Sequence, residues 1–289
     1  MIDRGIILAG GKGTRLSPLT KITNKQLLPL YDKPLIFYPL SVLMLAGIKN
    51  ILIITNKGEE NLFKTILGNG KRFGVKLDFK TQSKPGGLPE AFIIGEEFIK
   101  KKNVALILGD NFFYGQGFTN RLKNLGKNHR GALIFTYSVN NPSSYGVVEY
   151  KKNKIIDKIV EKPKRTKSNQ AITGLYFFDS KCVEIAKKLK PSKRNELEIV
   201  DIIRAYHKNK NLKIEYMGRG SSWLDTGTID NFYEISQFIS NVEKRQGLKI
   251  ACLEEIAFRN KWINKKSIYD SIKFYGNCEY SDYLKKIIL

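Results

Sequence analysis

Short apolar runs alternate with segments of helical spacing through the first half of the chain. The runs are Gly5 to Leu8, Ile51 to Thr55, Val104 to Leu108 and Ala132 to Tyr137. Apolar residues recur at helical spacing in segments 39–46, 59–67 and 89–98. Apolar strands that alternate with helices are typical of a mostly parallel sheet covered on both faces. The pattern predicts a doubly wound α/β fold with a Rossmann-like sheet.

The pattern changes after residue 140, where alternating or aromatic runs are separated by polar turns. These runs are YGVVEY, IIDKIVEKP and ITGLYFFD, at residues 145–150, 155–163 and 172–179. We predict hairpin-like strands that extend the sheet and form a second ligand wall. From Ile229 onward the spacing is helical, with Phe232, Ile235, Ile239 and Val242 on one face. This part of the chain is predicted to be a small helical appendage.

The net charge of +23 over 289 residues raises the prospect of a polyanionic partner. The lysines are spread between apolar elements, and the chain has no zinc finger, RNP-type motif or basic heptad helix. We therefore expect no nucleic-acid partner, since a small phosphorylated ligand explains the charge equally well. The longest charge-free apolar stretch, residues 35–48, is too short to span a bilayer. The N-terminal residues lack a signal-peptide layout, so we expect a cytoplasmic protein without a membrane partner.

Cysteine and histidine are too sparse for several common kinds of site. Cys182, Cys252 and Cys278 are far apart and form no CxxC pair, so neither a disulfide framework nor a zinc site is indicated. The histidines are His129 and His207, both in polar stretches. A mechanism that depends on several histidines is excluded.

The most unusual segment is IILAGGKGTRLSPLT, residues 6–20, in which glycines follow the first predicted strand. It matches neither the P-loop spacing GxxxxGK[ST] nor a GxGxxG dinucleotide fingerprint. Consecutive glycines allow backbone N–H groups to approach an anion closely, and Arg15 could donate to phosphate in bidentate fashion. The alternative is a tight turn with an exposed arginine. The residues of this segment leave both interpretations open.

Two aspartates lie near the ends of apolar runs, where an open α/β sheet binds its ligands. Asp110 and Asn111 follow VALILG, and Asp225 lies in WLDTGT. Carboxylate oxygens are the ligands that Mg²⁺ prefers alongside substrate phosphates. Aspartate is also common as a helix cap or turn residue, and the long separation in sequence hides any pairing.

A series of motifs runs in order from residue 5 to about residue 260. They are GGKGTRLSPLT, KQLLPLYDKPLIFYPLSVLMLAGI, AFIIGEEFI, LGDNFFYG, YGVVEY, EKP, ITGLYFFD, LEIVDI, WLDTGT and EEIAFR. Together they resemble the sugar nucleotidyltransferases, specifically the short glucose-1-phosphate thymidylyltransferase family. The resemblance implies a nucleotidyltransferase core at 1–228, mainly nucleotide-binding at 1–110 and mainly sugar-phosphate-binding at 111–228. Residues 229–289 would be the helical appendage, with a role in assembly and regulation.

The implied reaction is the first step of dTDP-deoxysugar synthesis, for example of dTDP-rhamnose. A phosphate oxygen of glucose 1-phosphate attacks the α-phosphorus of dTTP in line, giving dTDP-glucose and pyrophosphate with the help of Mg²⁺. A phosphomonoester is already ionised at neutral pH, so no general base is needed and cationic stabilisation dominates. The catalytic residues implied by the resemblance are Arg15, Lys25, Asp110, Lys162 and Asp225, with Asp110 and Asp225 as the metal ligands. Without the resemblance, Lys25 would be interpreted as a surface lysine and EKP as a turn.

The resemblance also assigns binding residues for both substrates. Gln82 would hydrogen-bond the pyrimidine edge and Gly87 would approach it through its backbone. Pro89 and Glu90 stand where many relatives have a small residue and Gln, a departure that leaves the fine shape of the base pocket open. The full nucleotide set is Leu8, Gly10, Gly11, Gly13, Thr14, Arg15, Lys25, Gln82, Gly87 and Asp110. The sugar-phosphate set is Asn111, Gly146, Glu161, Lys162, Ile172 and Asp225.

Similar enzymes are homotetramers that a downstream deoxysugar nucleotide inhibits at a second site between subunits. The residue types match that site at several positions, although EEIAFR alone would be interpreted as a packing helix. The matching positions are Tyr38, Leu45, Gly115, Phe118, Arg219, Ala251, Glu255, Ile256 and Arg259.

Other functions remain as alternatives. Within the same class, the enzyme would use UTP or another sugar 1-phosphate. An oxidoreductase would need the dinucleotide fingerprint that the chain lacks. The alternative outside enzymes is a protein that binds nucleic acid or a nucleotide sugar without turnover.

Overall fold

The computed structural model describes residues 1–127, 129–153 and 155–289. The strands are β1 (Ile2–Ala9), β2 (Pro29–Leu30), β3 (Lys33–Pro34), β4 (Asn50–Asn56), β5 (Lys76–Gln82), β6 (Asn103–Leu108), β7 (Asn111–Gly115), β8 (Ala132–Ser138), β9 (Gly146–Tyr150), β10 (Ile156–Glu161), β11 (Gln170–Phe178), β12 (Leu212–Met217) and β13 (Ser221–Asp225). The α-helices are α1 (Phe37–Leu45), α2 (Glu60–Leu67), α3 (Glu90–Ile94), α4 (Glu96–Ile99), α5 (Phe118–Lys127), α6 (Lys181–Lys188), α7 (Ile199–Lys208), α8 (Ile229–Gln246), α9 (Leu253–Arg259), α10 (Lys265–Tyr275) and α11 (Glu279–Ile288).

The main sheet has the order β10-β9-β11-β6-β1-β4-β5, with β8 and β12 branching from β11. The four strands β6, β1, β4 and β5 are all parallel. Strand β11 runs antiparallel to β6 and connects the later strands to them. The predicted parallel core and its extension by the strands after residue 140 are both confirmed.

The sheet has a separate apolar core on each face. Ile7 and Ile53 pack with α1, α2, α5 and α9 on one face, whereas Ile6 and Leu52 pack with α3, α4, α6 and α7 on the other. Successive residues of a strand point to opposite faces, so strands that are apolar throughout fill both cores. The doubly wound architecture follows directly from that pattern.

The helix predicted over 89–98 is divided into α3 and α4 at Gly95. A Cβ atom added to Gly95 would lie 2.8 Å from the Ala91 oxygen and 2.9 Å from Ile6 Cδ1. The missing side chain therefore allows close packing against β1, which spacing alone did not indicate.

The last four helices pack onto the rest of the chain and onto one another. Ile235 and Ile239 of α8 join Tyr38 and Phe112 in one apolar cluster. Leu253 of α9 belongs to the core on the α1 face, while α10 and α11 share a cluster with Cys252. The predicted helical character of this region is confirmed, and its division from the core at residue 228 stays a prediction. Within the described residues, no helix has the length and apolar character needed to cross a bilayer.

Candidate active site

The glycine loop begins where β1 ends, at the carboxyl edge of the parallel strands. Gly11 and Gly13 have φ angles of 101° and 57°, which side chains rarely adopt. Asn56, at the end of the neighbouring strand β4, accepts from Gly11 N at 2.9 Å and donates to Gly11 O at 3.1 Å. The loop is thus fixed by a side chain that sequence reasoning missed, although its place at the end of a predicted strand was a usable signal.

Arg15 lies on the short 3₁₀ turn Thr14–Leu16 that follows the glycines. A Cβ atom added to Gly227 would lie 3.1 and 3.2 Å from the two terminal nitrogens of Arg15, and 2.6 Å from Asp225 Oδ1. The glycine therefore leaves room for the guanidinium beside the Asp225 turn. This contact joins the first loop of the chain to a loop more than two hundred residues later.

Lys25 is buried, at 7% exposed, and its ammonium lies 2.8 Å from Asp110 Oδ2. Asn24 accepts from Gln26 N at 2.8 Å and caps the turn that carries Lys25. Burial would raise the pKa of Asp110, but Lys25, assisted by a hydrogen bond from Asn111, holds the pKa below its ordinary value. Lys25 is therefore no surface lysine, and Asp110 is kept ionised.

Asp110 and Asp225 meet because β7 and β13 form a separate antiparallel pair. Asn111 is opposite Asp225 in its register. Thr226 donates to the Asp110 carbonyl oxygen through both its N–H and its hydroxyl, each at 3.0 Å. The pairing brings together two aspartates whose distance in sequence concealed any relation.

Asn111 is 2% exposed and holds the strands around Asp110 together through its side-chain hydrogen bonds. Its Oδ1 accepts from Trp223 Nε1 at 2.6 Å and from Gly174 N at 3.1 Å, and its Nδ2 donates to Asp110 Oδ1 at 2.8 Å. These bonds connect β7, β11 and β13. Both lone pairs of Asn111 Oδ1 accept hydrogen bonds from within the protein. A ligand would therefore contact the Nδ2 side of the amide group.

A cavity of about 720 Å³ opens between these strands and the loops around them. The predicted residues that line it are Arg15, Asp110, Asn111, Gly146, Glu161, Lys162, Ile172 and Asp225. Gly11, Thr14 and Lys25 line a second cavity of about 370 Å³ beside the glycine loop. Leu8, Gly10, Gly13, Gln82 and Gly87 line neither cavity.

The far wall of the large cavity carries Glu161 and Lys162. Glu161 ends β10 opposite Gly146, and Lys162 N donates to Tyr145 O at 3.0 Å. Burial, reinforced by nearby Glu198, raises the pKa of Glu161 against the opposing charges of Arg194 and Lys162. The carboxyl therefore gives up its proton at a higher pH than an ordinary glutamate.

Arg194 is a lining residue that the sequence reasoning missed. Its guanidinium lies 2.6 Å from Glu198 Oε2 and 3.4 Å from Glu161 Oε1. It adds a cation to the wall that holds Lys162. Arg194 lies five residues before Ile199, where α7 begins within LEIVDI. That spacing indicates no particular chemistry, so no usable signal for Arg194 was present in the sequence.

Gln82 ends β5, and Gly87 lies on the loop that follows it. Gly87 has a φ of 96°, and a Cβ atom there would lie 2.0 Å from Leu197 O. Leu197 N also donates to Gly86 O at 2.9 Å. Backbone pairing with Leu197 therefore requires glycine at position 87 and connects the Gln82 loop to the segment that carries Arg194.

The residues predicted to form a regulatory site are spread over α1, β7, α5 and α9. Tyr38 is buried and donates to Leu30 O at 2.8 Å. Glu255 and Arg259 form an ion pair at 2.7 Å and line a cavity of about 580 Å³. Phe118, Leu45 and Ile256 contact the core on the α1 face. Gly115 ends β7, Ala251 packs beside α8 and Arg219 lies in the turn before β13. A shared effector site for them stays a prediction.

The two aspartates suit a divalent cation that also binds phosphate. In the part of the chain that the structure describes, no group of three or more His, Cys, Asp or Glu side chains could hold a metal ion. Asp110 and Asp225 supply hard carboxylate oxygens on the cavity wall next to Arg15, on the side of the glycine loop. Two carboxylates completed by substrate phosphates are a usual coordination for such an ion.

Comparisons with known proteins show the family and the fold. A glucose-1-phosphate thymidylyltransferase from Neisseria gonorrhoeae is 52% identical over 285 residues, 99% of either chain. A crystal structure assigned to a glucose-1-phosphate thymidylyltransferase from Bacillus anthracis, in complex with sucrose, has a TM-score of 0.75 at 38% identity, covering 81% of this chain and 94% of that one. A UDP-glucose pyrophosphorylase complexed with UDP-glucose has a TM-score of 0.72 at 27% identity, covering 85% of this chain and 100% of that one. The nucleotidyl transferase family matches residues 4–242, and the chain belongs to that family.

Proposed function

We propose that this nucleotidyl transferase makes dTDP-glucose and pyrophosphate from dTTP and glucose 1-phosphate. The observation that carries the proposal is the single cavity that Arg15, Asp110, Lys162 and Asp225 line together. A reaction between two polyanions needs cations on both sides of the reacting phosphorus, and this cavity offers them. The names of the relatives supply the substrates.

The chain's own residues act by positioning and by charge. Backbone N–H groups of the glycine loop and the Arg15 guanidinium hold the triphosphate, while Lys162, assisted by Arg194, holds the phosphate of the sugar. The Glu161 carboxylate accepts from sugar hydroxyls, and the amide NH₂ group of Asn111 donates to them. The phosphate oxygen of the sugar is already ionised near neutral pH, so no residue needs to remove a proton from it. Fixing the two reactants in line supplies much of the rate increase.

The proposed metal is Mg²⁺, held by Asp110 and Asp225. A bound ion would supply positive charge for the phosphate oxygens during the transfer. Lys25 keeps Asp110 ionised and oriented for this task, which gives the buried ion pair a functional reason. We further propose that the protein is cytoplasmic and forms a homotetramer, with the residues around Glu255 and Arg259 as an effector site. The resemblance supports the homotetramer and the effector site.

A second candidate differs only in the nucleotide. The structural similarity to a UDP-glucose pyrophosphorylase complexed with UDP-glucose supports UTP as an alternative, because the two chains share a fold. Thymine and uracil share the imide edge that Gln82 would contact. Only a measurement of activity with each nucleotide therefore distinguishes dTTP from UTP as the substrate.

The test is pyrophosphate release with Mg²⁺ across a panel of triphosphates and sugar 1-phosphates. We expect the highest kcat/KM for dTTP with glucose 1-phosphate, and no release when either substrate is omitted. A highest value with UTP would establish the second candidate. No release from any pair would contradict the proposed function.

A further inference from the structure

The side chains of Gln82 and Glu90 contact each other beside the glycine loop. Gln82 ends β5 and is 5% exposed. Its Nε2 donates to Glu90 Oε2, and Gly86 N donates to the same oxygen at 3.0 Å. An ionised carboxylate only accepts hydrogen bonds. The NH₂ group of Gln82 must therefore face Glu90, and its oxygen must face the other way.

That oxygen faces the glycine loop. A Cβ atom added to Gly10 would lie 2.9 Å from Gln82 Oε1, and Gly10 directly follows β1. Among residues 1–127, 129–153 and 155–289, no protein group donates to this oxygen. The site thus presents a buried acceptor, without a donor among the described protein groups, beside Gly10 at the carboxyl edge of the parallel strands, where ligands bind in this architecture.

We infer that Glu90 is a specificity-determining positioning residue, which fixes Gln82 as a hydrogen-bond acceptor and so selects bases that carry an N3–H donor. Thymine and uracil have that donor. Cytosine presents a lone pair at N3, which would face the oxygen of Gln82 with no hydrogen between them. The inference rests on the proposed function, because the assignment of Gln82 to the base comes from it.

The residue type at position 90 decides how strictly Gln82 is oriented. A glutamine there would both donate and accept, so the Gln82 amide could turn over and present its NH₂ group to the base. A site with a fixed acceptor rejects the wrong partner strongly, because a buried polar group is left unpaired. The competing explanation is that Glu90 only holds the loop through Gly86 N, in which case every nucleotide would be affected equally.

The experiment compares wild type, Glu90→Gln and the matched control Glu97→Gln. Glu97 is 86% exposed in its side chain and pairs with Lys80 at the surface, so its variant removes the same charge away from the site. The readout is the ratio of kcat/KM for dTTP to kcat/KM for dCTP, with glucose 1-phosphate as second substrate. We expect Glu90→Gln to lower this ratio roughly tenfold, the size of one hydrogen bond to a charged group. Glu97→Gln should leave it unchanged.

Glu90→Ala is a second variant, which removes the acceptor altogether and should lower the same ratio. If both Glu90 variants slow dTTP and dCTP equally, or leave both unchanged, the inference is wrong. A wild-type enzyme that releases no pyrophosphate from dTTP would instead contradict the proposed function, so the two failures are distinguishable.

Discussion

The nucleotide and sugar-phosphate halves of the candidate active site are built in different ways. The nucleotide half comes mostly from one stretch of chain, in which the glycine loop, Arg15 and Lys25 follow a single strand. The sugar-phosphate half is assembled from Gly146, Glu161, Arg194 and Asp225, which separate strands and loops contribute. The residues of the nucleotide half are therefore close together in the sequence, whereas the residues of the sugar-phosphate half are brought together by the register of the strands.

The two halves also differ in their electrostatics. In the nucleotide half, Lys25 and Asp110 are already paired, and the pKa of Asp110 is lowered against the effect of burial. In the sugar half, burial and Glu198 raise the pKa of Glu161. Both halves contain a preformed ion pair, Lys25 with Asp110 and Arg194 with Glu198. Among the described residues of the two halves, only the sugar half contains a carboxyl whose pKa is raised, that of Glu161.

The largest expected effect comes from the aspartate at the border of the halves. Asp225→Asn keeps the volume and most hydrogen bonds but removes the negative charge proposed to hold the metal. We expect kcat to fall about 10³-fold, the size of a lost metal contact of several kcal/mol. The measurement is pyrophosphate release, with circular dichroism to show that the fold persists. Full activity would remove Asp225 from the metal role.

Lys25→Met and Lys162→Met compare the loss of a paired, buried lysine in the nucleotide half with the loss of an exposed lysine in the sugar-phosphate half. Lys25→Met leaves the Asp110 carboxylate without its cation, so we expect a loss of about 2 kcal/mol in unfolding free energy at neutral pH. Lys162 is exposed, and Lys162→Met should cost less than about 0.5 kcal/mol. It should instead raise KM for glucose 1-phosphate at least about tenfold, in line with a lost charged contact. Urea unfolding and steady-state kinetics separate the two effects.

The loss in Lys25→Met should depend on pH with a defined sign. The lowered pKa of Asp110 contributes stability above its ordinary pKa, and that contribution is lost as pH falls through the folded value. In the variant the charge of Lys25 no longer opposes burial and only hydrogen bonds do, so the pKa of Asp110 is higher than in wild type. The stability difference between the two proteins should therefore shrink as the pH is lowered. A difference that stays constant with pH would show that the ion pair is not its cause.

Asn56→Ala tests the order of the nucleotide half. The change removes both hydrogen bonds to Gly11, so the loop would be ordered only on binding. We expect KM for dTTP to rise up to about thirtyfold, since two hydrogen bonds at about 1 kcal/mol each are lost. KM for glucose 1-phosphate should change little. Equal changes in both KM values would indicate a general loss of structure.

The smallest effect is expected at Glu161. As pH rises through its raised pKa, the carboxyl loses its proton and becomes a stronger acceptor for sugar hydroxyls. KM for glucose 1-phosphate should fall severalfold over that range in wild type relative to Glu161→Gln. Ionisation of the substrate affects both proteins equally, so their ratio isolates Glu161. Parallel pH profiles would contradict this role.

The sequence predicted the parallel core because its strands are apolar throughout, as at Ile51 to Thr55. It did not predict the short β7–β13 pair, because strands of five residues are too short to show a clear alternation of apolar and polar residues. The contact of Gln82 with Glu90 was likewise invisible, although the unusual residue at position 90 marked the place. Asn56 and Arg194 act through contacts across the fold, and a single sequence records no such contacts.

The central claim is that Asp110 and Asp225 serve one metal between the two substrates. A double-mutant cycle tests it, using Asp110→Asn, Asp225→Asn and the combined variant, with Mg²⁺-dependent pyrophosphate release as the readout. If both hold one ion, the combined variant should lose little more activity than the more damaged single variant, because the second change removes a ligand from a site already lost. Losses that multiply, as for two independent sites, would contradict the account.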